Sequence, residues 1–352
     1  MTHHCTRHYD SSLHVRWGSP TNQMVGKVVS ALEGAAGTIT FASGMNAITS
    51  TLMTTLESGG HIVAPNAVYG GTFEWLDIWA PRLGVAVTFV DGTDIDAYAR
   101  AIQPNTTVLY AESPANPTMR LTDLKALGAV SAATKGQTMC IVDGTFATPY
   151  HINPLAYAGV DAVIHAATKY MGGHSDLTAG TVSSNDLGFL QQLGKAAKLF
   201  GGPLPAFDSY LLLRGLKTLD VRMERHAKNA LAVASFLDTH SNVAATYYPG
   251  LPSHPDYALA CSQFSGGFGG MVSFDVGTAE AGRHLVESVR LINLAVSLGG
   301  VESLIEHPAS MTHTMMPVEE RVAAGITDGL VRLSVGLEHP DDVINDLDQA
   351  LK

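Results

Sequence analysis

Residues 163–180 read Val-Ile-His-Ala-Ala-Thr-Lys-Tyr-Met-Gly-Gly-His-Ser-Asp-Leu-Thr-Ala-Gly and set one lysine, Lys169, between a short apolar strand and a glycine-rich turn. Upstream, the segment Met139–Asp143 is a buried-strand pattern that ends on a carboxylate. Taken alone, a lysine in a glycine-rich turn is more often a surface residue than a nucleophile. The hypothesis that Lys169 is a reactive amine therefore depends on the segments around it.

Short β-branched runs alternate with helical stretches through this part of the chain. The runs cover residues 38–41, 61–64, 85–90, 107–110, 140–142 and 162–165. This spacing predicts βα units and a largely parallel sheet flanked by helices, which is an α/β fold. Ligands bind at the carboxyl ends of the strands in such sheets. Asp143 and Lys169 would lie at neighbouring strand ends, and a carboxylate and a lysine amine are the two partners that pyridoxal phosphate needs.

Other predicted strand ends carry further candidates for ligand binding. Ser43-Gly44 opens a predicted helix whose free N–H groups could bind phosphate, although a plain helix cap has the same pattern. Tyr69 lies on a loop at the same sheet edge, where its ring could stack on a planar cofactor or pack against the loop. Asn116, between two prolines, is either a turn residue or a donor to a ligand oxygen.

Composition limits the class of protein. The chain has 352 residues, of which 46% are hydrophobic and 15% charged, so we expect a large core and two domains. The net charge of -11 argues against nucleic acid or an anionic membrane surface as the main partner. No apolar run has the length of a membrane span, and no signal-peptide layout is present. Scattered cysteines predict a reducing compartment such as the cytoplasm; they are Cys5, Cys140 and Cys261.

Two features invite other interpretations. The amino-terminal histidines and Cys5 match no zinc spacing well, so we predict a polar terminus and no metal site. The glycine run Ser265–Gly270 would suit a dinucleotide-binding dehydrogenase, but it lacks the GxGxxG spacing and an opening βαβ context.

The order of motifs resembles the pyridoxal-phosphate enzymes of cysteine and methionine metabolism, which include cystathionine γ-synthase, cystathionine γ-lyase, methionine γ-lyase and O-acetylhomoserine sulfhydrylase. The resemblance extends from about Arg16 to Lys352. It rests on residues 19–21, 32–34, 42–45, 69–72, 112–117, 142–149, 167–170, 173–176, 213–219, 297–303, 307–313 and 329–338. It implies a fold-type I pyridoxal-phosphate-dependent transferase. The implied divisions are an arm at 1–20, a cofactor domain at 21–220 and a smaller C-terminal α+β domain at 221–352.

The resemblance also implies roles around the cofactor ring. Lys169 would form the Schiff base and shuttle protons between the substrate carbons. Asp143 would pair with the pyridine nitrogen. Tyr69 would stack on the ring and assist proton transfer, and Asn116 would contact the phenolic oxygen of the ring.

Further implied contacts hold the phosphate and the substrate. Main-chain N–H groups of Gly44 and Met45 would bind phosphate, with a hydroxyl from Thr168. Arg332 would bind the substrate carboxylate bidentately, with Ser297 close to it. Arg16 would reach the phosphate of the neighbouring subunit, so the family pattern implies a homodimer as the minimum and usually a homotetramer.

The chain departs from the family pattern at several positions. His14 replaces a usual tyrosine, Ala166 a usual serine and Gly144 a common asparagine. His14 and Ala166 occupy phosphate-binding positions, so we expect cofactor binding to be weaker by roughly tenfold or more. The arm before Arg16 is also shorter than in relatives, which puts tetramer stability in question. A catalytically silent family member is therefore one alternative.

The resemblance implies γ-carbon chemistry on a sulfur-containing or homoserine-ester amino acid. Gly71 replaces the cysteine of bacterial methionine γ-lyases, whereas Val296 resembles methionine γ-lyase and the sulfhydrylases rather than the cystathionine enzymes. The segment 114–121 also resembles methionine γ-lyase and the sulfhydrylases. We predict γ-elimination to an α-keto acid, ammonia and a thiol, with γ-replacement as the alternative.

Overall fold

The computed structural model describes residues 18–314 and 316–352, so the predictions for Arg16 and His14 lie outside the described residues. The strands are β1 (Gly37–Phe41), β2 (His61–Pro65), β3 (Ala86–Val90), β4 (Thr106–Glu112), β5 (Met139–Asp143), β6 (Ala162–His165), β7 (Gly180–Ser184), β8 (Ala245–Tyr247), β9 (Met271–Asp275), β10 (Asn293–Leu294), β11 (Leu304–Glu306) and β12 (Leu330–Ser334).

The helices alternate with these strands in the first half of the chain. They are α1 (Pro20–Glu33), α2 (Gly44–Thr55), α3 (Gly70–Glu74), α4 (Ala80–Arg82), α5 (Ile95–Ala101), α6 (Leu124–Ala133), α7 (Thr148–His151), α8 (Leu187–Leu199), α9 (Ala206–Leu216), α10 (Leu219–Asp238), α11 (Tyr257–Gln263), α12 (Ala279–Ser288), α13 (Val318–Ala323) and α14 (Pro340–Ala350). A π-helical turn, Trp75–Trp79, joins α3 to α4. Among the described residues, no helix is long and apolar enough to cross a membrane.

The first sheet has seven strands in the order β1-β7-β6-β5-β4-β2-β3. Strand β7 is antiparallel to β1 and β6, whereas the remaining pairs are parallel. Consecutive strand residues are buried on opposite faces: Ile141 packs with residues of α2 and α8, and Val142 packs with residues of α6. Helices on both faces of a mostly parallel sheet confirm the α/β prediction.

A second, smaller sheet has five strands in the order β10-β11-β12-β9-β8. Its apolar face packs against residues of α10, α12 and α14, including Val233, Leu285 and Leu347. Strand β12 lies between β11 and β9 and pairs antiparallel with both. The central position of β12 matters for the site, since Arg332 is its middle residue.

The carboxyl ends of the parallel strands form one edge of the first sheet. Strands β4, β5 and β6 end at Glu112, Asp143 and His165, and the register pairs Glu112 with Asp143 directly. The turn that carries Lys169 follows β6, and α2 begins just after β1. The candidate site lies at this edge.

Candidate active site

Lys169 is half-buried in the turn after β6, and its Nζ donates a hydrogen bond to Ser297 Oγ at 2.8 Å. Ser297 comes from the second sheet's side of the site and has a φ of 83°, a left-handed conformation that is uncommon for a non-glycine residue. Burial, and then the positive charge of Arg332, lower the pKa of Lys169 to about 8. The amine is therefore partly unprotonated near neutral pH.

Asp143 ends β5 and is only 4% exposed. Its Oδ1 accepts from the backbone N of Thr145 at 3.0 Å and from Thr145 Oγ1 at 2.5 Å, and the Tyr110 hydroxyl donates to Oδ2 at 3.4 Å. Burial raises the pKa of Asp143, while the hydrogen bonds from Thr145 oppose that shift. No Lys, Arg or His of the described ranges forms an ion pair with this carboxylate.

The amino terminus of α2 faces the turn that holds Lys169. The Ser43 side chain accepts from the backbone N of Asn46 at 3.1 Å, which leaves the N–H groups of Gly44 and Met45 without a partner in the described part of the chain. A Cβ on Gly44 would lie 2.6 Å from the Cβ of Ala166, so only glycine allows this approach. Two adjacent free N–H groups at a helix start suit an anion.

Thr168 is placed beside this helix start but its hydroxyl is already engaged. Its Oγ1 accepts from the backbone N of Ala179 at 3.0 Å and donates to the Ala179 carbonyl at 3.2 Å. A ligand oxygen would have to replace the carbonyl as the acceptor of the hydroxyl proton.

Tyr69 precedes α3, and its side chain is 44% exposed. The backbone N of Tyr69 donates to Glu112 Oε2 at 2.9 Å. Burial, and then the charge of Glu112, raise the pKa of the Tyr69 phenol, so it keeps its proton at neutral pH. A Cβ on Gly71 would lie 2.8 Å from Tyr69 Cε1 and 3.1 Å from Met45 Sδ, so glycine leaves room for the ring.

Arg332 is 4% exposed and forms three side-chain contacts within the site. Its Nη1 donates to Asn116 Oδ1 at 2.7 Å and lies 3.1 Å from Glu306 Oε1. Its Nη2 donates to the Ser297 carbonyl at 3.0 Å. The guanidinium is therefore held in one orientation beside Lys169.

The structure adds two carboxylates that the sequence predictions did not include. Glu112 ends β4 just as Asp143 ends β5, so the rule that selected Asp143 could have found it. Glu306 faces Arg332 across the β11–β12 pair and has no comparable sequence signal. Of the predicted residues, Lys169, Ser297, Arg332 and Asn116 are joined by hydrogen bonds. Tyr69 is joined to Asn116 through Glu112.

These groups fit pyridoxal phosphate. The buried Asp143 carboxylate has only neutral donors, and a protonated pyridine nitrogen would supply the missing cation. The free N–H groups at the start of α2 suit the phosphate, and the nearby lysine has a pKa of about 8, which suits an amine that attacks an aldehyde. Each chemical end of the cofactor has a counterpart among the described residues.

Comparison with known proteins agrees with this geometry. The family model described as Cys/Met metabolism PLP-dependent enzyme matches residues 3–352. An L-methionine gamma-lyase of Fusobacterium nucleatum subsp. nucleatum is 46% identical over 342 residues, which is 97% of this chain and 86% of that protein. The cystathionine beta-lyase MetC of Bacillus subtilis is also 46% identical, over 98% of this chain and 86% of that protein.

A solved structure shows the same likeness. It is the cystathionine gamma synthase from Xanthomonas oryzae pv. oryzae in complex with aminoacrylate and cysteine, which matches with a TM-score of 0.92 at 42% identity. The match covers 96% of this chain and 87% of that one. Similar proteins thus include both lyases and a synthase.

Proposed function

Because the chain belongs to the pyridoxal-phosphate-dependent enzymes of cysteine and methionine metabolism, we propose that it catalyses γ-elimination on a sulfur-containing or homoserine-ester amino acid. The products are an α-keto acid, ammonia and the γ leaving group, which is a thiol for a sulfur amino acid. The observation that carries this proposal is the Lys169 amine, held 2.8 Å from Ser297 Oγ beside Arg332.

The cofactor, when bound, supplies an electron sink for the negative charge that develops at the substrate α-carbon. Lys169 would hold the cofactor, and its amine would move protons between the substrate carbons. Asp143 would keep the ring nitrogen protonated, and the start of α2 would bind the phosphate through Gly44 and Met45. Thr168 adds its hydroxyl there.

Arg332 binds the α-carboxylate of the substrate. Its two Nη atoms contact Asn116 Oδ1 and the Ser297 carbonyl, and the Ser297 hydroxyl accepts from the Lys169 amine. A bidentate pair fixes the amino acid about its α-carbon and brings the α-proton to the lysine amine. The Asn116 side chain would contact the phenolic oxygen of the cofactor ring.

Tyr69 acts at the γ substituent of the substrate. Its phenol keeps its proton because burial and Glu112 raise its pKa. A protonated phenol can stack its ring on the cofactor and donate its proton to the leaving γ-sulfur. This division assigns the α and β protons to Lys169 and the γ proton to Tyr69.

Val296 bears on which substrate the site accepts. This side chain is 52% exposed and directly precedes Ser297, whose hydroxyl accepts from the Lys169 amine. An apolar side chain suits the short, uncharged γ substituent of methionine better than the distal amino-acid group of cystathionine. γ-Replacement is the second candidate, since the similar Xanthomonas oryzae structure is a cystathionine gamma synthase.

The working unit is proposed to be a homodimer that pairs into a homotetramer in the cytoplasm. Large apolar side chains are exposed on α8 and α9, among them Leu199, Phe207 and Tyr210, and an interface between copies would cover such residues. Residues 21–220 would form the cofactor domain and 221–352 the C-terminal domain. Residues 1–20 would bring Arg16 to the phosphate of the neighbouring subunit.

An absorbance spectrum of the purified protein tests the proposal directly. We expect a visible cofactor band that changes with L-methionine while keto acid accumulates, and a Lys169→Ala control that forms no keto acid. L-cystathionine and O-acetyl-L-homoserine are tested separately. A spectral change without keto acid, with product formed only after a thiol is added, would favour replacement. No band after incubation with pyridoxal phosphate would favour the silent alternative.

A further inference from the structure

Glu112 is a buried carboxylate that joins two separate segments of the site. It ends β4 and is 5% exposed. Its Oε2 accepts from the backbone N of Tyr69 and its Oε1 from the backbone N of Asn116, both at 2.9 Å. Tyr69 lies between β2 and α3, whereas Asn116 lies after β4. The two residues are distant along the chain, and Glu112 connects them directly.

The environment of Glu112 is unusual for a residue that only fills space. No Lys, Arg or His in residues 18–314 or 316–352 forms an ion pair with it. Asp143 is its direct partner on β5, so a second carboxylate lies beside it. Burial and this neighbour both raise the pKa of Glu112. An apolar or amide side chain of similar size would avoid that desolvation cost.

The two accepted N–H groups belong to the main chain, so the carboxylate fixes backbone positions. The Asn116 side chain continues the connection, because its Oδ1 accepts from Arg332 Nη1 at 2.7 Å. Glu112 therefore stands between the Tyr69 phenol, which is placed at the γ end of the substrate, and Arg332, which is placed at its carboxylate end. Two acceptors on one rigid planar group set the distance between those ends.

We propose that Glu112 is a positioning residue that fixes Tyr69 relative to Asn116 and Arg332, so that the phenol meets the γ substituent of a substrate held by its carboxylate. This inference rests on the proposed function. It deepens that function by naming the group that sets the length of substrate the site accepts.

The test is a double-mutant cycle on the holoenzyme with Glu112→Gln and Tyr69→Phe. Glutamine keeps the volume but offers one carbonyl oxygen, so one of the two N–H groups loses its acceptor. We expect Glu112→Gln to lower kcat by roughly 10- to 100-fold with a much smaller change in KM, as a displaced catalytic group does. Glu57→Gln, the same change at an exposed position after α2, should leave kcat within about twofold of the unmodified enzyme.

The decisive readout is the coupling between the two changes. If Glu112 acts through Tyr69, then Tyr69→Phe should cost at least about threefold less in the Glu112→Gln enzyme than in the unmodified enzyme. A Glu112→Gln enzyme with unchanged kcat, or a cycle in which the two losses multiply independently, would overturn the inference. Glu112→Asp, which keeps both acceptors, should recover part of the lost kcat and part of the cost of Tyr69→Phe.

Failure of the proposed function would look different. An unmodified protein without a cofactor band or keto acid would remove the proposed function and this inference together, whereas a normal unmodified enzyme with additive variants would remove only the inference. If Glu112→Gln does not fold, the cycle is run with Glu112→Asp. That carboxylate is one methylene shorter, so coupling to Tyr69→Phe is expected, and strict additivity contradicts the proposal.

Discussion

The reactivity of Lys169 gives a quantitative prediction for capture of pyridoxal phosphate by the cofactor-free protein. Only an unprotonated amine attacks the aldehyde. With the pKa of Lys169 lowered from 10.5 to about 8, about one amine in ten is unprotonated at pH 7, against about one in three thousand for an ordinary lysine. Capture at neutral pH should therefore be roughly 300-fold faster than the ordinary pKa would allow.

The sign of the pH dependence follows from the same shift. As pH rises from 6, the rate constant for capture should rise about tenfold per pH unit and level off near the pKa of about 8. Stopped-flow absorbance over this range measures the rate, and a small primary amine in the same buffers corrects for titration of the cofactor. A rate that still rises tenfold per unit above about pH 9 would refute the reasoning, because it would show an ordinary lysine.

A substitution separates the two causes of the shift. Burial and the positive charge of Arg332 are the two causes that lower the pKa of Lys169, and the negative charge of Glu306 opposes them. Arg332→Gln removes the first charge and leaves the second, so the plateau should move to higher pH. Arg100→Gln, an exposed arginine paired with Asp94, is the matched control and should leave the plateau in place. An unmoved plateau in Arg332→Gln would assign the whole shift to burial.

Three further substitutions have defined outcomes. Arg332→Lys replaces a bidentate donor by a single ammonium, so kcat/KM for the substrate should fall by roughly 10- to 100-fold, and an unchanged kcat/KM in steady-state kinetics would contradict this. Ala166→Ser adds a hydroxyl next to the start of α2 and should tighten cofactor binding by up to about tenfold. Equilibrium titration of the cofactor-free protein measures the affinity, and weaker binding would disprove a phosphate contact at residue 166. Gly71→Cys adds a Cβ at 2.8 Å from Tyr69 Cε1 and should displace the Tyr69 ring, with a lower kcat and an altered cofactor band. An unchanged absorbance spectrum would show that the ring accommodates the cysteine.

The parallel strands and their carboxyl ends could be predicted because the signal is local. The inner parallel strands are buried on both faces, so they read as continuous apolar runs, as in Met139–Asp143. The next polar residue along the chain then falls at the sheet edge. Asp143 is such a residue, whereas Lys169 is identified by its place between the apolar strand β6 and a glycine-rich turn.

Other parts of the structure depend on pairing between distant segments. Strand β7 is rich in Gly, Ser and Thr and carries no apolar run, yet it is buried because β1 and β6 flank it. Strand β11 has only three residues, and Glu306 reaches Arg332 solely through its antiparallel register with β12. Local periodicity cannot specify such long-range pairing.

The charges of the site determine how the cofactor and substrate can enter. Of its buried carboxylates, Glu306 is paired with Arg332, whereas Glu112 and Asp143 both have only neutral donors among the described residues. Both oxygens of Glu112 accept a main-chain N–H at 2.9 Å, while Asp143 Oδ2 has, in the described part of the chain, only the Tyr110 hydroxyl at 3.4 Å, so Asp143 is our proposed partner for a cationic ring nitrogen. In the proposed arrangement the anionic groups would lie elsewhere, with the phosphate at the start of α2 and the substrate carboxylate at Arg332. Under this proposal, Asp143, the start of α2 and Lys169 would each hold a different part of the cofactor, and together they would fix its orientation.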